Sequence, residues 1–578
     1  MPDSPVPNEN TPVPPWADPL VPVESLDAQG VSRRGVLRSA GLLGTGLIVA
    51  GAGVAAPAAA DERDRRGHGN GHGQEDPELM WLVGDHHVHS RYSNDAKYDV
   101  SQQAYRGAQF GLDWMVMTEH SNVAHASKGA AAENVELVRA RVENPRMLIF
   151  QGLEWYIPAA EHATVFVAPG PREVQLLTEF ESRFDGNLLG RTQGKVGDPA
   201  TAGNEALAAD AIRWLGQQQR AGVVDDVLVL ANHPSRLGID SPHELRTWRD
   251  ADPTIAIGME GAPGAQGDSA PEWLAYRASI GRAPSNPQRG EYSNAQRADS
   301  WPAYPPEAYR THGGFDWMTA TVGGMWDSML AEGRLWSITT NSDNHRTIFD
   351  NYTDGVFPAG QSFTSEGAKP SPTLASTPQL GSDYWPGQFS RTHVGVRQFG
   401  YLEVMAAMRA GRVWVDHGQL VDALDVRVTA DGVRRGVTLG GRLSVRRGEQ
   451  VSLQVTVTTA SRPNLHGLLP ALAHLDVIRG LVTGPVADRD AMRAPDTRVV
   501  EQVDVRGKRG TFTLSVPLGR AKESSYVRLR GSDGRRNGPG LLGSAIDPAG
   551  PIPQTAADGD PWLDTWLYTN PVFIDVRR

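Results

Sequence analysis

From residue 79 onward, short apolar runs alternate with longer stretches whose apolar residues recur at helical spacing. The runs at 79–83, 114–117, 147–150, 163–168, 227–231, 254–259 and 336–339 are rich in β-branched and aromatic residues and predict strands. Between them, 100–110, 131–143, 205–219 and 321–331 predict helices, the second by the spacing of Val135, Leu137, Val138 and Val142. Repeated strand–loop–helix units predict a barrel-like α/β domain. A helix at 398–409 and a strand at 413–415 close it. From about residue 420 the period changes to two, at 426–428, 453–457, 512–516 and 572–576, with glycine-rich turns between. That pattern predicts a smaller all-β, sandwich-like domain. Three segments, 170–203, 261–315 and 347–395, interrupt the α/β repeat and are rich in Gly, Pro, Ser and aromatics. Loops of that length are expected to wall a pocket.

Chemistry-bearing residues follow the strand runs. His87 and His89 come after the first run, His120 after the second and Glu154 after the third. His162 stands at the edge of the fourth, His233 follows 227–231, and Asp343 and His345 follow the last. Asp95 lies in a Ser-Asn-Asp turn shortly after His89. Residues just past strand ends gather on one face of a barrel or open sheet, so these nine are candidate ligands of one multinuclear metal site. Each alone has a plainer explanation: a turn aspartate, a capping glutamate, a surface histidine. Their shared placement is what points to a site.

In 85–89 the side chains of Asp85, His87 and His89 share one strand face, so Asp85 is a candidate to orient a ligand, while His86 faces away and reads as structural. Six of the sixteen histidines are used. Cysteine is absent, so disulfides and thiolate ligands are excluded, and an imidazole–carboxylate set suits two or three divalent ions, zinc or manganese first and iron next. His120, His233 and Asp343 are the candidate catalytic residues. Arg236 and Arg346, each just beyond a ligand motif, are candidates to hold an anionic phosphate. His393 and His417 are candidate general acids, with a structural role as the alternative.

The chain has 578 residues and a net charge of −11, which removes any broad basic field and with it an expectation of nucleic-acid binding. Residues 1–60 are expected to be an export signal. Ser32-Arg33-Arg34-Gly35-Val36-Leu37-Arg38 resembles a twin-arginine motif and precedes a Gly/Ala-rich apolar stretch that ends in small residues. The expected partner is the twin-arginine export machinery and the expected location extracellular or cell-envelope, with no stable membrane span after cleavage. Residues 61–78 read as a disordered spacer.

The segments DHHVHS (85–90), TEHSN (118–122), ANHPSR (231–236) and SDNH (342–345) resemble the four motifs of the PHP (polymerase and histidinol phosphatase) superfamily. The resemblance implies a distorted (β/α)7 barrel over 79–419, followed by the β domain over 420–578. It further implies that His87, His89, Glu154 and Asp343 hold one metal. Glu154 would bridge to a second, bound by His162 and His233, and Asp95, His120 and His345 would complete a third position. MRAGRVWVDHG (408–418) and the C-terminal WLYTNPVFIDV (566–576) are similar to a secreted metallohydrolase branch that includes carbaryl hydrolases. The expected function is an exported metal-dependent hydrolase, a phosphatase or phosphodiesterase whose small-molecule ester is attacked by metal-activated water. One alternative is a carbamate or carboxylic-ester hydrolase with the same site. Another is a non-catalytic protein that binds cell-wall or sugar ligands.

Overall fold

The computed structural model describes residues 79–191, 199–262, 264, 300–309, 314–347, 350–379, 381, 383–433, 436–464, 469–533 and 566–577. The expected export signal and spacer, and parts of the segments expected to wall the pocket, lie outside these residues.

Eleven strands organise the first part of the chain: β1 (Met80–Val88), β2 (Trp114–His120), β3 (Leu148–Tyr156), β4 (His162–Val167), β5 (Val227–Ala231), β6 (Ala256–Ala262), β7 (Ser337–Thr340), β8 (Asp350–Thr353), β9 (Thr373–Gln379), β10 (Ser390–Val396) and β11 (Val413–His417). The principal helices are α1 (Val100–Gln109), α2 (Ala130–Glu143), α3 (Glu173–Phe184), α4 (Pro199–Arg220), α5 (Pro242–Ala251), α6 (Met325–Ala331) and α7 (Tyr401–Arg409). Strands β1 to β7 pair in sequence order. They are largely buried because both faces are covered: every residue of β5 is buried, as is every residue of β2 except His120. A single parallel bridge joins Val88 to Asn344, just past β7, and His89 N–H donates to the Asn344 carbonyl at 3.0 Å. The two ends of the seven-strand path therefore meet at the level of the candidate ligands.

The regular strand–loop–helix repeat fails at one place. β3 and β4 are antiparallel, as are β4 and β5, whereas β1–β2–β3 and β5–β6–β7 run parallel. A parallel crossover needs a dozen or more residues, and the link 157–161 is far too short for one. The segment 170–203 is not a loop throughout, since it holds α3 and the start of α4. The segment 347–395 conceals a sheet strand: β10 pairs antiparallel with β1, Met80 opposite Val396. Its sequence, Ser390-Arg391-Thr392-His393-Val394-Gly395-Val396, is too polar to signal a buried strand, yet all seven residues are buried. In α2 the predicted helix is present but Val135, Val138 and Val142 are exposed. Ala130, Glu133, Leu137 and Ala140 face inward. Alanine and a buried glutamate carry the core face, so apolar spacing located the helix without locating its inner side.

The C-terminal strands are β12 (Val421–Ala430), β13 (Arg442–Arg446), β14 (Gln450–Thr459), β15 (His474–Leu481), β16 (Arg498–Asp504), β17 (Thr511–Arg520), β18 (Ser525–Ser532), β19 (Trp566–Thr569) and β20 (Val572–Arg577). β12, β14 and β17 form a three-stranded antiparallel layer, with in–out alternation along β14 and along β12 after a bulge at Val421–Ala423. Its inner residues, Val426, Val428, Leu453 and Val455, share a core with Val477, Leu529 and Ile574 of a second layer. These strands pack in two layers, but the second layer is not a separate sheet. β19 pairs with β11 through Trp414–Thr569, Val415–Tyr568 and Asp416–Leu567, which makes it continuous with the α/β sheet. Residues 78–578 form one compact unit, and position 420 marks a change of topology inside it. Among the described residues no helix is long and apolar enough to cross a membrane.

Buried ion pairs fasten the two parts. Arg528 of β18 donates to both carboxylate oxygens of Asp327 on α6 at 2.8 and 2.7 Å, and both side chains are fully buried. Tyr526 O–H donates to the same carboxylate at 3.0 Å. Removing one partner of such a pair leaves an uncompensated buried charge, which costs about 3–5 kcal/mol. Asp327→Ala is therefore expected to lower the unfolding free energy by that amount, and the denaturant midpoint with it, in one transition for 78–578. A midpoint unchanged from the parent, or separate transitions for the two parts, would contradict the fused core.

Candidate metal centre

His87, in the last turn of the β1 pleat, and His89, two residues on, point to the same side. Their Nε2 atoms stand 2.9 Å apart. Each imidazole is anchored through its other nitrogen. His87 Nδ1–H donates to Glu260 Oε1 at 2.7 Å, and His89 Nδ1–H to Ser93 Oγ at 2.9 Å. Ser93 O–H in turn donates to Glu119 at 2.7 Å. His345 Nδ1–H donates to the Asp343 carbonyl at 2.9 Å, which leaves its Nε2 facing that of His120 at 3.2 Å. These anchors fix the tautomers so that the bare Nε2 lone pairs face one another.

Glu154 is the hub. It lies within the β3 strand, not beyond its end as the sequence pattern implied. Its oxygens lie 3.2 Å from His87 Nε2, 3.4 Å from His89 Nε2, 2.7 Å from His120 Nδ1, 2.9 Å from His162 Nδ1 and 3.3 Å from His233 Nε2. Asp343 Oδ1 stands 3.2 Å from His87 Nε2 and 3.4 Å from His89 Nε2. Asp95 reaches His120 Nε2 at 3.3 Å and His345 Nε2 at 3.7 Å, and it is the most exposed of the set. All nine candidate ligands are therefore brought together in one cluster. Four overlapping groups in it have donor atoms close enough to share a cation: His89–His120–His345, His87–His89–Asp343, His120–Glu154–His162 and Glu161–His162–His233.

The donor chemistry fits divalent ions. Glu154 Oε2, Asp343 Oδ1, His120 Nδ1 and His233 Nδ1 are buried and have no hydrogen-bond partner. His120 Nδ1 and Glu154 Oε2 are only 2.7 Å apart, yet their angles do not make a hydrogen bond. Lone pairs packed head to head in this way are repulsive unless positive charge lies between them. Protons can serve: burial opposes a charge on His87 and His120, but the carboxylates of Asp343, Glu154, Glu260 and Asp95 outweigh it and hold both imidazoles well above the usual histidine pKa. Glu154 is held well below the carboxylate range by His162, His87 and His120 against its burial. His89, buried beside His345 and His120, is pushed well down.

The backbone is strained where it aims these groups. His233 and Asp343 have φ of 28° and 47°, in the left-handed region that non-glycine residues avoid at about 1–2 kcal/mol. Pro234 and the ties from Ser235 N–H and O–H to Asp316, at 3.1 and 2.8 Å, hold the turn after His233. Gly264 gives Asp343 room, because a Cβ there would stand 2.9 Å from that of Asp343.

Several contributors carried no expectation. Glu260 ends the sixth strand run just as the ligands end theirs. Its Oε1 anchors His87 and its Oε2 accepts the His233 N–H at 2.6 Å. Glu161 lies between His162 and His233, and Asp383 accepts His345 and Arg346 N–H. Asp85, expected to orient an imidazole, binds backbone instead, accepting His87 N–H at 3.1 Å and Ser342 N–H at 3.0 Å. Burial pushes its pKa up to about 7. His86 bonds Thr339 at 2.7 Å, outside the cluster. Arg236 and Arg346 are not open cationic arms: Arg236 pairs with Glu161 at 3.0 Å and Arg346 with Asp354 at 2.9 Å. His393 pairs with Asp416 at 2.9 Å and stacks on Trp414, and His417 stacks on Phe315 with its Nε2 3.3 Å from Thr340 Oγ1.

No family model matches the chain, and no curated protein matches it. Among solved structures it aligns with a two-domain protein from Bacteroides vulgatus ATCC 8482, described as containing a predicted PHP-like metal-dependent phosphoesterase. The alignment spans 83% of this chain and 96% of that one at 14% identity, with a TM-score of 0.30, which does not establish a shared fold.

Two outcomes test the centre. Because the carboxylates beside His87 and His120 favour the charged imidazoles, and a metal ligand must be deprotonated, metal uptake is expected to expel protons. Zinc titrations in buffers of different ionisation enthalpy should show net proton release, with apparent affinity falling as pH is lowered below neutrality. Uptake independent of pH would exclude those imidazoles as ligands. Glu260→Gln should weaken metal affinity about 10–100-fold while the fold is retained. Unchanged affinity would deny it an orienting role.

Proposed function

We propose that this chain is a metal-dependent hydrolase of ester bonds, a phosphoesterase first, built on a distorted (β/α)7 barrel of the PHP kind. The observation that carries this reading is the convergence on Glu154 of five imidazoles, with Asp343 and Asp95 alongside. The four sequence motifs and the meeting of β1 with the end of β7 support it as well. Divalent cations in such a set polarise an ester oxygen and lower the pKa of coordinated water toward ~7.

The residues of the chain supply position and charge. His87, His89 and His345 present Nε2 because Glu260, Ser93 and the Asp343 carbonyl hold their other nitrogens. Glu154, Asp343 and Asp95 bring three negative charges; two or three divalent ions held by them would outweigh these and favour an anionic ester. Arg236 and Arg346, neutralised by Glu161 and Asp354, add little to that field, so the positive charge is localised at the cations. In this proposal His120, His233 and Asp343 are the residues whose loss removes turnover.

A carbamate or carboxylic ester, as in the carbaryl-hydrolase-like branch, remains the second substrate class. It is favoured by the same pairing of both arginines, since a neutral ester needs no cationic arm. We further propose export by the twin-arginine route, supported by residues 32–38.

Metal-loaded protein is expected to hydrolyse p-nitrophenyl phosphate or bis-p-nitrophenyl phosphate, and to lose that activity on chelation. Turnover of p-nitrophenyl acetate alone would replace phosphoester with carboxylic ester. His120→Ala should abolish turnover with the circular dichroism unchanged, and activity retained by that variant would remove His120 from the site.

A further inference from the structure

Another metal-competent group is formed by Glu205 of α4 with His243 and Glu244 at the start of α5. One donor atom from each lies within 4.8 Å of the others. None of the three belongs to the centre around Glu154. His243 Nδ1–H donates to Asp490 Oδ1 at 2.5 Å, which fixes the tautomer and leaves Nε2 bare. That Nε2 faces Glu205 Oε1 at 3.4 Å and Ser241 Oγ at 3.1 Å. The Ser241 hydroxyl proton is already given to Glu244 Oε2, at 2.7 Å, so the lone pair of Nε2 meets only acceptors.

Glu244 supplies the independent sign of a ligand. It is 3% exposed, its Oε2 is committed to Ser241 N–H and O–H, and its Oε1 is buried without a partner. An unpaired buried carboxylate oxygen is costly unless a cation or proton meets it. Three carboxylates, Glu205, Glu244 and Asp490, surround a single imidazole, so the group is negative even with that imidazole charged. The partial positive charge at the start of α5 offsets only part of this.

We propose that Glu205, His243 and Glu244 bind a divalent cation of the zinc or manganese class, with Asp490 orienting the imidazole from behind. The carboxylate–histidine–metal arrangement is the usual way a ligand's tautomer is held. Glu205 and His243 are about a quarter exposed, so solvent reaches the position and water can complete the coordination. The bound ion would clamp α4 to α5, and through His243 and Asp490 to the segment before β16.

The test is ion stoichiometry on the full chain, stripped with chelator and dialysed against zinc, with elemental analysis of parent and variants. Glu205→Gln and His243→Gln should each bind one equivalent fewer than the parent, with unchanged circular dichroism. Asp490→Asn, which keeps all three ligands, should weaken that one equivalent about 10–100-fold. A folded Glu205→Gln that binds as many ions as the parent would overturn the proposal, as would Asp490→Asn with unaltered affinity. Loss of ions at the Glu154 centre is a separate readout, because Glu260→Gln should leave this equivalent in place.

Discussion

The architecture depends on an imbalance between lone pairs and protons. Six imidazoles and three carboxylates meet in a largely buried cluster, and several of their inward atoms, Glu154 Oε2 and Asp343 Oδ1 among them, are acceptors without a hydrogen-bond partner. Water cannot relieve this for the most deeply buried members, and neutral hydrogen bonding cannot satisfy it, because the hydrogens of His87, His89 and His345 point outward to anchors. Positive charge has to enter, as protons on His87 and His120 or as metal. That requirement ties the site's stability to the same ions that its chemistry would use.

Holding such a cluster in place takes rigid surroundings. The strands beneath it are buried almost throughout, and the side chains that aim the ligands are themselves satisfied: Glu119 by Ser90 and Ser93, Asp316 by Ser235, Asp85 by two backbone amides. Left-handed backbone at His233 and Asp343 is strain maintained by these ties. The antiparallel excursion of β4 has a functional consequence. By turning back on β3 it sets His162 opposite Tyr156, within reach of Glu154 in the same strand, which a crossover helix would have prevented.

The C-terminal strands extend the same sheet and are fastened to α6 by buried arginine–carboxylate pairs. Arg530 pairs with Asp476 inside this region in the same fully buried manner. Buried ions of this kind are weak sources of net stability but strict about geometry, since either partner alone is penalised. They make the β region part of the framework that fixes β11 and, through β10, β1 and its histidines.

Much of this was legible in the chain itself. Apolar runs placed the seven strands of the site, and polar residues at or near their ends named eight of the nine candidate ligands, with Asp95 in the turn after His89, because a strand's hydrophobic length and its functional tip are both local properties. What lies between distant segments was not legible. Strand β10 carries too little apolar signal, and its place depends on β1. The inner face of α2 is set by Leu137 with alanines rather than by its valines, since the sheet it packs on decides which side is buried. Glu260 and Asp85 differ in role only because of which groups stand opposite them across the sheet. Arg236 and Arg346 look like open cationic arms until folding brings Glu161 and Asp354 beside them. Local pattern determined the elements and the donor types; tertiary packing decided pairing, because charge compensation and burial exist only between residues far apart in the chain.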